Sequence, residues 1–136
     1  MNFKEQITSY HKNSSRMSGE QLQDLFDRLS ANLYFYLEEF AKAQKSYLQA
    51  YWDYRKARST LWLKTKHGTT EKLTDKYVEN EVDNQTSTEF ANRLFAEADL
   101  DLKKEEINAV KMVLRAIESR LDGMKTERIY SYKNQK

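Results

Sequence analysis

The chain has 136 residues, a net charge of +2, 32% charged residues, no cysteine and no proline, and its mean hydropathy is −0.92. The lack of cysteine excludes disulfides, thiolate metal sites and a cysteine nucleophile. Three glycines and no proline suit long helices and argue against sandwiches and barrels.

Residues 1–18 are polar, with breakers at Asn13-Ser14-Ser15 and Ser18-Gly19. They read as a mobile N-terminal arm with a short helix around Phe3, Ile7 and Tyr10. The segment has no apolar core, so no secretory signal is expected. No run of 18 or more apolar residues occurs anywhere, so no membrane-spanning helix is expected either.

Residues 19–136 read as a single helical domain. Its first element, helix A, runs over about 19–66, with Ser18 as N-cap and Glu20 and Asp24 near the positive end of the helix dipole. Its apolar residues form two heptad series, Leu22, Leu29, Tyr36, Ala43, Ala50, Ala57 and Phe26, Leu33, Phe40, Tyr47, Tyr54, Leu61. Together they step 4, 3, 4, 3, which is an a/d seam. A helix of this length is a rod on the order of 75 Å long, more than one small chain can wrap. Leu37, Leu48, Tyr51 and Trp62 lie off the seam. An apolar strip left in water marks an interface, so a homo-oligomer is expected, with Leu37, Leu48 and Tyr51 on its contact surface.

His67-Gly68-Thr69-Thr70 ends helix A, with Gly68 expected at the positive φ of a C-cap. A short helix B, about 74–83, follows with Thr74 as N-cap, Asp75 at N1 and Tyr77, Val78 and Val82 as its apolar positions. Asp83-Asn84-Gln85 reads as a turn. Thr86-Ser87-Thr88-Glu89 reads as a capping box that opens helix C, about 87–128. Helix C carries a first apolar stripe (Phe90, Leu94, Ala98, Leu102) and a second (Val110, Val113, Ile117, Leu121, Met124), followed by a frayed polar tail, SYKNQK. The fold class is all-α: a long antiparallel helical hairpin with a short intervening helix, assembling into a homo-oligomer.

Charge is segregated along the chain. Residues 42–72 hold eight Lys/Arg against Asp53 and Glu71, whereas residues 75–106 hold ten Asp/Glu against Lys76, Arg93, Lys103 and Lys104. A polyanion could meet the first segment and would be repelled by the second. Whether the acidic segment shields a strand or docks a protein is left open by the sequence.

In the basic segment, cations interleave with aromatics from Trp52 through Arg55, Lys56, Arg58 and Trp62 to Lys64 and Lys66. Lys and Arg neutralise phosphates with release of counterions, and aromatic faces stack on unpaired bases. At helical spacing Trp52, Arg55 and Arg58 share one side, as do Arg55, Trp62 and Lys66, so stacking and charge can share a surface. The structural alternative is a seam with a solvated basic flank. His11 and His67 show no metal-ligand spacing, and the carboxylate runs Glu38-Glu39 and Glu105-Glu106 read as solvated faces. No Walker loop, Gly-rich phosphate cradle or nucleophile elbow occurs. No metal, cofactor or enzymatic activity is expected.

A further pattern joins Lys56-Ala57-Arg58, a polar loop, Asp75-Lys76-Tyr77 with Glu81, and Ala116-Ile117-Glu118-Ser119-Arg120 on a long helix. Over roughly residues 45–130 this resembles the UvsY recombination mediators of T-even-type bacteriophages. The resemblance implies a non-enzymatic protein in the host-cell cytoplasm that binds single-stranded DNA and forms a ring of about six to eight copies. It implies a RecA-like recombinase and a single-strand-binding protein as partners. It carries DNA contact to Lys56 and Arg58, and assembly to Leu114, Ile117 and Leu121. The loop 64–70 is less Gly-rich than the resemblance implies, although Lys64 and Lys66 suit DNA. The alternatives are a structural coiled-coil adaptor or virion-assembly protein that binds no nucleic acid, and a basic amphipathic helix on anionic membranes, against which the acidic second half speaks.

Overall fold

The computed structural model describes residues 3–68 and 72–134. The protein is all-α: α1 (Phe3–Asn13), a 3₁₀ turn (Ser14–Arg16), α2 (Gly19–His67), α3 (Asp75–Gln85) and α4 (Ser87–Asn134). The chain divides into two compact units, residues 1–39 with 104–136, and residues 40–103. No described helix is long and apolar enough to cross a membrane.

In the first unit α2 and α4 run antiparallel. A Cβ on Gly19 would lie 3.5 Å from the Met124 sulfur. At the other end, Tyr36 has its pKa raised by burial first and then by Glu106. Leu22, Leu29, Val110, Val113 and Ile117 form the buried layer between them, joined by Tyr10 and Leu25. Burying side chains of this size contributes about 1.5–3 kcal/mol each.

Tyr10 belongs to α1, so the segment expected to be a mobile arm is a helix docked on this core. The Asn32 amide donates to Gln6 Oε1 at 3.0 Å, which satisfies a glutamine that is itself buried. Leu25 lies off the a/d seam of α2, and its burial beside Tyr10 marks where α1 sits. Ser18 caps α2 as expected. The Gln21 N–H donates to Ser18 Oγ at 3.2 Å, and the Ser18 N–H donates to Gln21 Oε1 at 2.9 Å, a reciprocal box.

In the second unit the pairing is antiparallel as well, with the Tyr54 and Phe90 rings 5.7 Å apart and Arg93 over Tyr51. Thr74 caps α3 as expected, its hydroxyl accepting from the Tyr77 N–H at 3.2 Å. Val78, Val82 and Thr86, spaced by four, are fully buried.

Four local expectations give way. The turn expected at 83–85 is the last turn of α3, and Thr86 alone separates α3 from α4. The Thr86 N–H and hydroxyl both donate to the Val82 carbonyl, at 3.0 and 2.6 Å, so the hydroxyl closes α3 and does not form a capping box with Glu89. Gly68 does not adopt positive φ. A Cβ there would instead collide with the Lys64 carbonyl oxygen, so glycine is required by close approach. Gly68→Ala is expected to cost on the order of 1 kcal/mol, read as a lower thermal midpoint by circular dichroism. The rest of the expected stop, Thr69-Thr70, lies outside the described residues. At the other end, α4 continues to Asn134, so residues 131–134 of the expected frayed tail are helical.

The inner row of α4 in this unit also differs from expectation. Glu89, Arg93, Ala96, Leu100 and Lys103 are half-buried, whereas Phe90, Leu94, Ala98 and Leu102 are exposed. The expected stripe steps by four each time and therefore winds about 40° around the helix per step. The half-buried row alternates 4 and 3 and stays on one face, although three of its five members are charged. Its polar groups are incompletely satisfied: Arg93 Nε and Glu89 Oε2 are buried without a hydrogen-bond partner. The Arg93 guanidinium lies 5.2 Å from the Tyr51 ring centre and 5.3 Å from that of Tyr54, a cation–π arrangement that replaces part of its lost hydration.

Candidate nucleic-acid interface

The basic–aromatic run lies on the part of α2 that belongs to the second unit. Helical periodicity places Arg55, Arg58 and Lys66 one turn from an aromatic ring, and these three meet their rings. Arg55 sits over Tyr51 at 5.7 Å and over Trp52 at 5.9 Å, and it donates to the Tyr51 hydroxyl at 3.3 Å. Arg58 sits over Tyr54 at 5.6 Å, and Lys66 over Trp62 at 6.0 Å. The indole of Trp52 remains 60% exposed, while Trp62 is half-buried. Open hollows flank this ladder. One, of about 440 Å³, is lined by Arg58, Ser59, Trp62 and Leu63. A second, of about 590 Å³, is lined by Gln49, Trp52, Asp53, Arg55, Lys56 and Ser59.

Of the seven candidate contacts, Trp62 is half-buried against Lys66, and the other six fall into two groups. Trp52, Arg55, Lys56 and Lys64 are exposed, and Arg55, Lys56 and Lys64 carry no ion pair among the described residues. Arg58 and Lys66 are engaged by α3. Arg58 donates to Asp83 Oδ1, and only 25% of its side chain is exposed. The Asp83 hydrogen bond raises the Arg58 pKa above its ordinary value, against a smaller lowering by burial. Lys66 Nζ donates to Asp75 Oδ1 at 3.0 Å. Charge counting located the cations and the carboxylates in neighbouring segments, but not which of them pair.

The candidate assembly residues also divide. Leu48 is exposed, as is Leu37 in the first unit. Tyr51 is half-buried, with Arg55 and Arg93 over its ring. Ile117 is fully buried in the core of the first unit, with Leu114 and Leu121 packed against it. Within the single chain Ile117 fills the interior, whereas Leu114 and Leu121 are half-buried and keep part of their surface outward. The larger exposed apolar groups are elsewhere, among them Tyr34 and Phe35 on α2 and Phe95 on α4.

No group of three or more His, Asp or Glu among the described residues could hold a metal ion. No family model matches the chain, and no curated protein and no solved structure matches it.

Proposed function

We propose that this protein binds single-stranded DNA as a homo-oligomer and serves as a recombination mediator, in keeping with its resemblance to the UvsY type. The single observation that supports this most is the ladder of cations and aromatic rings on α2, with Trp52, Arg55, Lys56 and Lys64 open to solvent. Phosphates would be neutralised at Arg55, Lys56 and Lys64, and bases would stack on Trp52. Arg58, Lys66 and Trp62 would join after local rearrangement. No base-edge reader is needed, so sequence preference would be weak.

Exposed apolar side chains such as Leu37, Leu48 and Phe95 would be covered by sister subunits, in a ring of about six to eight copies if the symmetry is closed. Repeating the track around an axis lets weak contacts act together through effective concentration. A wrapped strand would be drawn from a competing single-strand-binding protein and held for a RecA-like recombinase, in the cytoplasm of a phage-infected host. The role is geometric and involves no enzymatic step.

The same apolar surface also favours the second reading, a coiled-coil adaptor or virion-assembly protein. A fluorescence-anisotropy titration of labelled oligothymidylate across salt, with light scattering on the same samples, separates the two. Mediator-type binding is expected to weaken steeply between about 50 and 200 mM salt, with particles larger than one chain throughout. Oligomers that ignore the oligonucleotide at every salt concentration would replace this reading with the adaptor. Monomers that ignore it would remove both.

A further inference from the structure

Two of the cations best placed for phosphate already hold anions, and both anions come from α3. Asp83 accepts from Arg58, and Asp75 accepts from Lys66. On α2 these cations are eight residues apart, about 12 Å along the axis. On α3 the carboxylates are also eight residues apart, one near each end of the helix. A carboxylate oxygen on Lys or Arg occupies the position a phosphate oxygen would take. Resting on the nucleic-acid reading above, we propose that α3 is a built-in competitor: its two terminal carboxylates occupy part of the phosphate track and must be displaced before a single strand can engage it fully.

Displacement is feasible because of how the pairs are placed. Asp75 and Asp83 are exposed, and Lys66 is exposed as well, so water can solvate both carboxylates once they are released. Such pairs contribute little to stability, and their loss leaves the buried stripe Val78, Val82 and Thr86 of α3 intact. The consequence is a two-tier site. Arg55, Lys56 and Lys64 are available for first contact, whereas Arg58 and Lys66 engage a strand only in exchange for α3. Binding would therefore be weaker, and less steeply salt-dependent, than five free cations would give. Carboxylates freed by exchange gather salt cations while the strand's phosphates release theirs, and the two cancel.

The test compares the full chain with Asp75→Asn/Asp83→Asn and with the charge-matched control Asp99→Asn/Asp101→Asn. The control residues are exposed on α4 and carry no ion pair among the described residues. The probe is fluorescein-labelled oligothymidylate, titrated by anisotropy at several salt concentrations, with circular dichroism confirming equal helix content. The α3 variant is expected to bind up to about 25-fold tighter at 0.1 M salt, with a log–log salt slope steeper by about 1.4, two phosphates at roughly 0.7 each for a single strand. The control is expected to gain less than half as much in log affinity, with its slope unchanged. Equal gains in both variants would mean a bulk charge effect and overturn the proposal. Unchanged or weaker binding by the α3 variant, while the unsubstituted protein binds, would overturn it and leave the nucleic-acid reading standing. If no variant binds at any salt concentration, both fall together.

Discussion

Ile117→Ala is expected to destabilise the protein by about 3 kcal/mol, within the 2–5 kcal/mol typical of large-to-alanine changes in a packed core. For a chain of this length that corresponds to a thermal midpoint lower by on the order of 10 °C. Ile117 is 0% exposed and packs in one layer with Leu22, Leu29, Val110 and Val113. Removing its outer methyl groups leaves a void between two long helices, which cannot close it without bending. Thermal melting by circular dichroism at two or more protein concentrations reads the effect. A loss of stability that persists at every concentration is expected from a core residue. An unaltered melt together with smaller particles in light scattering would place Ile117 between subunits and contradict the packing of the first unit. Phe95→Ala is the contrasting case: its ring is 75% exposed, so its removal is expected to change intrachain stability by under about 0.5 kcal/mol.

The second large effect concerns the track itself. Arg55→Ala/Lys56→Ala should reduce affinity for single-stranded DNA about 25-fold at 0.1 M salt, or about 1.9 kcal/mol. The figure follows from two phosphate contacts, each contributing a log–log slope of roughly 0.7 on a single strand. The slope should fall by about 1.4 at the same time. Both side chains lie on the exposed flank. Their loss removes two cation–π contacts of Arg55 but no core packing, so the helices should persist in circular dichroism. Arg58→Ala is a less clean probe, since it leaves Asp83 without its partner. Equal affinity and an equal slope in the double variant would move the phosphates off this face of α2.

Much of this architecture was legible because a long helix repeats its instructions. The 4–3 stepping from Leu22 to Leu61 located α2 and its inner face. Ser18 and Thr74 announced two helix starts through short polar side chains able to accept backbone N–H bonds. What escaped did so for physical reasons. The docking of α1 depends on Tyr10, Gln6 and Leu25, one aromatic in a polar segment, one amide and one leucine off the seam, and none is periodic. The inner row of α4 opposite Tyr51 and Tyr54 is charged at Glu89 and Arg93, so a search for apolar periodicity follows Phe90, Leu94 and Leu102 around the outside instead. Thr86 satisfies the pattern of a capping box equally well when its hydroxyl bonds backward to Val82. On α2 the candidate contacts could be listed from composition. Which of them α3 already holds depends on how two segments fold together, and charge counts are blind to that.

The arginine wedged between Tyr51 and Tyr54 has one more effect: it dictates alignment. Slide α4 along α2 by one heptad, and the seam of α2 still presents apolar side chains, though of other sizes. Arg93 loses more. Displaced one way it comes level with Arg58 and Leu61, cation facing cation; displaced the other way it meets Gln44 and Tyr47 and keeps one aromatic face of its two. A seam of uniform grease would tolerate several offsets, whereas a lodged charge favours one.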